Sequence, residues 1–381
     1  MTGDPSRARA VVDLDAIASN YRRVCAAGVP VMGVVKADAY GHGDRRVAQL
    51  LRSIGAEWLG VALPSEALTL RAAGDRGRLL AWLWAPGDPG LIDCIAADVD
   101  LSVSSDLGLV EVVTAAQRIG KPARVHMKVD TGLTRNGLPR ESWESVFASA
   151  VAAQEAGLIE IIGVWSHLAS ADETENPTND EQALVFREAC ALLDDIGIRS
   201  LIRHLGNSAA ALSRPDLALD VLRAGIAIYG LTPGAAMGTS RDLGLTPAMT
   251  LRARLAHVKT ITPGTRVSYG GSWVAEQSTT VGLVPVGYAD GIPRAASNRA
   301  EVLVGNRRCP VLGVIAMDQF VVDLGSTSSE QPGEEVVVFG SGASGEPTAD
   351  DWAAWAGTIG YEIVTRVSAR VPREYIGGGG E

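Results

Sequence analysis

Two periodicities divide the chain. Up to about position 230, short apolar runs alternate with longer stretches of helical period. The runs lie near 31–36, 58–63, 79–84, 99–103, 123–129, 159–167, 200–205 and 220–229, with helical patterns such as 44–54 and 180–196 between them. Unbroken apolar runs of this length mark strands covered on both faces, as in parallel sheets. A short strand at 10–14 precedes them, and Asp15 is placed to cap a helix over 16–26. Residues 232–246 are rich in Gly, Pro, Ser and Thr and read as a linker. Beyond it, positions 251–258 alternate like a half-buried strand, and further β runs follow at 279–286, 301–304, 309–316, 319–323 and 334–339. One short helix is expected at 350–355.

Eight successive βα units predict an eight-stranded TIM-type α/β barrel over residues 1–235, followed by a mainly β domain over 236–381. A doubly wound sheet is the competing arrangement, but it rarely uses eight equivalent units, and the chain has no GxGxxG turn. Residues 1–8 read as a loose start and Gly377–Gly380 as a disordered end.

Composition narrows the possibilities. Apolar residues make up 46% of the 381, enough for a large core. A net charge of −10 argues against nucleic-acid or anionic-membrane surfaces. No apolar run reaches membrane-spanning length, and no signal-peptide pattern opens the chain. Cys25, Cys94, Cys190 and Cys309 lack framework spacing and read as reduced thiols of a cytoplasmic protein.

In such a barrel, chemistry gathers at the C-terminal ends of the strands. The polar residues there are Lys36, Lys128 with Asp130, His167, His204 with Asn207 and Ser208, and Arg223. Each alone could be a satisfied core group; five at equivalent ends converge on a site. Lys36 ends the run VMGVV and precedes ADAYGHG, and the chain holds only four lysines. Partial burial favours its neutral amine, which can form a Schiff base with an aldehyde. The turns at Gly206-Asn207-Ser208 and Ala224-Gly225-Ile226 follow the seventh and eighth barrel strands, the usual phosphate-binding region of this fold. In the β domain, Tyr269 in SYGG, Tyr288 in VGYADG and Met317 in AMDQ stand out.

These motifs carry a resemblance. VVKADAYGHG, KVDTG, SHLASADE, NSAA, RAGIAIYGL, SYGG, VGYADG, AMDQ, YEI and RVPREY follow one another in the order of the bacterial alanine racemase family. Its members are fold-type III enzymes that use pyridoxal 5'-phosphate (PLP). The resemblance implies that Lys36 holds PLP covalently. Tyr40, Ser208, Tyr361, Gly225 and Ile226 would bind its phosphate, with Arg223 and His204 on the ring side. It further implies a two-base racemisation, Lys36 acting on D-alanine and Tyr269 on L-alanine, with His167 supporting Tyr269. Arg135 and the Met317 backbone would hold the substrate carboxylate, and a carbamylated Lys128 would orient Arg135. Tyr288, Asp172 and Arg294 match the family's gate. A homodimer would share its two sites between subunits and supply D-alanine for peptidoglycan.

The chain departs from the usual family pattern at Val314, where an arginine is common, and at Leu133-Thr134. Other readings are a serine or broad-spectrum racemase, a PLP decarboxylase or D-amino-acid aldolase, and a non-catalytic PLP carrier. A barrel metallohydrolase built on His126, Lys128, His167 and His204 is a fourth, though no metal site is expected because no HxH ends the first strand.

Overall fold

The computed structural model describes residues 7–378; residues 1–6 and 379–381 lie outside the described part. Nine strands come first: β1 (Ala8–Asp13), β2 (Val31–Val34), β3 (Trp58–Val61), β4 (Arg78–Ala81), β5 (Asp100–Val103), β6 (Ala123–Lys128), β7 (Ile159–Trp165), β8 (Ile202–His204) and β9 (Leu222–Ala224). Strands β2 to β9 form one parallel sheet in the order β8-β7-β6-β5-β4-β3-β2-β9. The gap between β8 and β9 is bridged by main-chain bonds from Asp220 to Arg203 and from Arg223 to Gly206, both 3.0 Å. This is the predicted barrel, and each of its strands falls on one of the eight apolar runs.

The second domain adds β10 (Met249–Arg254), β11 (His257–Ile261), β12 (Arg266–Val267), β13 (Trp273–Val274), β14 (Thr279–Val284), β15 (Glu301–Val304), β16 (Arg307–Leu312), β17 (Phe320–Gly325), β18 (Glu335–Phe339) and β19 (Arg373–Ile376). Its nine-stranded sheet runs β11-β14-β17-β16-β15-β18-β10-β1-β19. The chain's first strand therefore lies in this sheet, antiparallel to β10 and parallel to β19, and not in the barrel that the sequence pattern predicts over residues 1–235. The alternating burial of β1 suits a sheet with one covered face, unlike the fully buried β2.

Two local expectations change. The first helix spans Leu14–Cys25 and is capped by Asp13, not Asp15. Asp13 is extended, and its Oδ1 accepts from the N–H groups of Asp15 and Ala16 at 2.9 and 3.0 Å. Asp15 instead accepts from Gly378 N–H at 3.0 Å, so Gly377 and Gly378 follow β19 back onto this helix. Arg7 and Ala8 are also engaged: Ala8 starts β1, and Arg7 pairs with the buried Asp290 at 2.5 Å. Gly379 and Gly380 fall outside the described residues.

The second domain covers one side of the barrel mouth. A Cβ on Gly41 would lie 2.4 Å from Val364 O, and Arg373 donates to Gly41 O at 2.9 Å. The chain turn after Lys36 is thus clamped between the two domains.

Candidate active site

The turn after Lys36 is unusual. Ala37, Asp38, Ala39 and Tyr40 all take left-handed values, with φ 52, 54, 53 and 54°. None is glycine, and each such residue costs about 1–2 kcal/mol. Surrounding contacts hold the turn. The Glu66 carboxylate accepts from Ala37 N–H at 2.7 Å and, through its other oxygen, from Ala62 and Leu63 at 2.9 Å. Asp38 accepts from Asp44 N–H at 2.9 Å, and the Tyr40 ring packs 4.8 Å from Tyr229 and 6.3 Å from Tyr361. The Lys36 ammonium stands 5.9 Å from the Tyr40 ring centre and 5.8 Å from that of Trp82. Burial lowers its pKa, Arg135 lowers it further, and Glu66 opposes the shift. The turn thus aims a half-buried amine whose proton is held less tightly than that of a free lysine.

Beside Tyr40 lies a cradle of small donors. Asn207 caps the helix Ser208–Ser213 by accepting from Ala209 and Ala210. Ser208 Oγ accepts from Gly225 N–H at 2.8 Å. A Cβ on Gly225 would sit 2.2 Å from the Tyr40 hydroxyl, so only glycine leaves this space. The Tyr361 hydroxyl closes the far side, donating to Pro233 O at 3.3 Å.

Arg223 forms the floor. Its Nη1 donates to His204 O at 2.8 Å and lies 3.3 Å from His204 Nδ1. Its Nη2 donates to Ser166 O and Leu205 O at 2.6 and 3.0 Å and lies 3.3 Å from His167 Nδ1. Burial pushes the guanidinium down to about 9, still protonated at neutral pH. His204 is fully buried behind Arg223, so it acts on the site through that residue. Lys128 stands 4.4 Å over the Trp165 ring, and burial together with Arg223 and Arg135 pushes its amine down to about 7. Burial and the same arginines hold His167 well below its usual range. A neutral His167 whose Nδ1 accepts from Arg223 carries its proton on Nε2.

The remaining expected residues are dispersed. Arg135 is exposed on a loop that Asp130 shapes by accepting from Gly132 and Thr134 at 2.9 and 3.1 Å. Asp172 borders Gly234, where a Cβ would lie 2.4 Å from its Oδ2. Tyr269 sits at the tip of the β12–β13 hairpin with 71% of its surface exposed. Met317, Tyr288 and Arg294 are likewise exposed on turns of the second domain. Among the described residues, no hydrogen bond or ion pair joins Tyr269 to Lys36, or Asp172 to Tyr288 or Arg294. Among them, too, no group of three or more His, Cys, Asp or Glu side chains could hold a metal ion.

Residues 12–233 match the family described as the N-terminal domain of alanine racemase, and residues 248–375 its C-terminal domain. The alanine racemase of Streptomyces coelicolor is 50% identical over 377 residues, covering 97% of this chain and 96% of that one. The alanine racemase of Mycobacterium avium is 46% identical over 97% of this chain and 95% of its own length. The crystal structure of the enzyme from D-cycloserine-producing Streptomyces lavendulae superposes with a TM-score of 0.96, at 48% identity and 98% coverage of both chains.

The chain belongs to the alanine racemase family.

Alanine racemases interconvert L- and D-alanine with PLP, and the residues present suit that cofactor. An aldehyde reacts with the neutral amine, and burial at the strand end lowers the pKa of Lys36 toward that form. A phosphate needs hydroxyls and main-chain N–H groups close together, and the missing side chain of Gly225 lets the Tyr40 hydroxyl approach the main chain beside Ser208 Oγ. Motif reading missed Glu66, Trp165 and Tyr229 as supports of this site. Glu66 had a visible signal, lying two residues after Pro64 at a helix start, but its reach to Ala37 depends on the barrel closing.

Proposed function

We propose that the racemase works by two bases on opposite faces of the substrate, Lys36 for D-alanine and Tyr269 of the partner subunit for L-alanine. The observation that carries this reading is the contrast in exposure: Lys36 is aimed into the barrel mouth, while Tyr269 is 71% exposed on a hairpin of its own chain. When bound, PLP delocalises the electron pair left as Cα loses its proton. Tyr40, Ser208 and Tyr361, with the main chain of Gly225 and Ile226, would hold its phosphate. Arg223 would be the group toward the cofactor's ring nitrogen; a guanidinium there would donate a hydrogen bond without giving up its proton, which would limit side reactions. His167, protonated on Nε2, meets the Tyr269 hydroxyl and steadies its charge. Arg135 and the Met317 main chain bind the carboxylate. Lys128, whose amine sits at about 7, adds CO2 through its nitrogen lone pair and releases one proton to solvent, and the negative charge of the resulting carbamate orients Arg135. Asp172, Tyr288 and Arg294 gate the mouth of the site once two chains meet. The enzyme is a cytoplasmic homodimer whose product feeds peptidoglycan; its four cysteines are unpaired.

Solvent exchange at Cα separates the two bases. Tyr269→Phe removes the base on one face only. It should slow exchange from L-alanine by roughly a hundredfold or more while D-alanine still exchanges. Equal slowing of both enantiomers would contradict the assignment.

A further inference from the structure

Behind Arg223, a line of buried polar groups crosses the barrel interior. Arg223 Nη1 lies 3.3 Å from His204 Nδ1, His204 Nε2 lies 2.9 Å from His126 Nδ1, and His126 Nε2 lies 3.4 Å from Asp100 Oδ2. Arg124 closes the line, 2.9 Å from Asp100 Oδ1 and donating to Oδ2 at 3.0 Å. Both imidazoles and Asp100 are fully buried.

The proton positions follow from chemistry. A guanidinium has only donors, so His204 Nδ1 accepts. Burial holds both histidines below their usual pKa, so each carries one proton. His204 therefore keeps its proton on Nε2 and donates to His126 Nδ1. His126 then keeps its own on Nε2 and donates to the Asp100 carboxylate. Every atom in the line has one role, from β9 through β8 and β6 to β5.

Local structure makes room for it. The β6–β7 register shifts between Val125 and His126, re-aiming the His126 side chain. A Cβ on Gly163 would lie 2.6 Å from His126 Nδ1, so a side chain there would displace the ring. Trp165 stacks on His204 with ring centres 5.6 Å apart, and Trp58 meets His126 edge-on at 5.4 Å.

We propose that Asp100 and His126 are positioning residues that hold His204 as the hydrogen-bond acceptor for Arg223, and so fix Arg223 for its role in racemisation. The proposal rests on the reading of Arg223 as the group facing the cofactor ring. With the opposite tautomer, His204 would turn an N–H toward Arg223, two donors would meet, and Arg223 would have to move.

The test uses the holoenzyme labelled with 15N in its five histidines. Two-bond 1H–15N spectra distinguish the tautomers, and single histidine substitutions assign the signals. In the wild type, His126 and His204 should both be neutral with the proton on Nε2. A proton on Nδ1 of either, or a charged ring, overturns the proposal without any variant. In Asp100→Asn, one amide oxygen must serve both Arg124 and His126 while the NH2 opposes them. His204 should lose its single tautomer and kcat should fall roughly tenfold to a hundredfold. His126→Asn, whose amide oxygen takes the place of Nδ1, should keep the Nε2–H form of His204 and most of kcat; His126→Leu should lose both. An unchanged His204 signal in folded Asp100→Asn and His126→Leu would overturn the relay. The expected spectra with kcat unchanged would overturn the positioning role and mark Arg223, rather than the relay, as misassigned.

Discussion

At the barrel mouth, Lys36, His167, Lys128 and Arg223 are half-buried or buried and lie among named partners, from Glu66 beneath the Lys36 turn to the three carbonyls around Arg223. In the second domain, Tyr269, Met317, Tyr288 and Arg294 stand exposed on turns. The main-chain scaffold of those turns is nonetheless firm. Asp290 accepts from Gly287 N–H at 2.9 Å and pairs with Arg7, while Arg370 joins Asp290 to Asp318. Exposed side chains on a rigid frame differ from a loose surface. The two-base reading would seat these side chains against a second copy of the chain.

Variants on the two sides should fail in different ways. Lys36→Ala should lower racemisation by roughly four orders of magnitude or more, with loss of covalent PLP; borohydride reduction followed by mass spectrometry checks the attachment. If PLP remains covalently bound, Lys128 becomes the candidate. A smaller effect is expected at Lys128 itself. A carbamate forms only on the neutral amine, so occupancy should rise as pH increases through about 7. Activity should then respond to added bicarbonate, and Lys128→Ala should lose roughly ten- to a hundredfold through misplacement of Arg135, with no bicarbonate response. A wild type indifferent to bicarbonate and a fully active Lys128→Ala would remove the carbamate.

The smallest effect concerns the left-handed turn. Ala37→Gly relieves about 1–2 kcal/mol of local strain while adding about 0.5–1 kcal/mol of unfolded-chain freedom. The melting temperature should rise by up to about 2 °C. A fall would show that the Ala37 methyl is needed where it stands.

The barrel was legible because parallel strands buried on both faces leave unbroken apolar runs, and each of the eight runs became a strand. The second sheet was less so. Strands of two residues, such as Arg266–Val267 and Trp273–Val274, carry no period, and β1 looked like a prelude to the barrel because its pairing partners lie more than 200 residues later. Asp15 was misread as a cap because two aspartates straddle the helix start and only the backbone shows which is extended. For the site, the residues proposed to touch ligand stand in recognisable motifs. Those that hold them were not. Glu66, Trp165 and Asp100 act across strands, where sequence spacing says nothing about distance.

In the proposed dimer, each active site draws on two chains. Lys36→Ala and Tyr269→Phe dimers should each be nearly inactive. Unfolded and refolded together, about half of all dimers should be hybrids with one of two sites intact, restoring about a quarter of wild-type activity. Tagging each variant and isolating the hybrid makes the measurement direct. One working site per hybrid dimer is expected, and hybrids that form but show no activity would rule out a shared site.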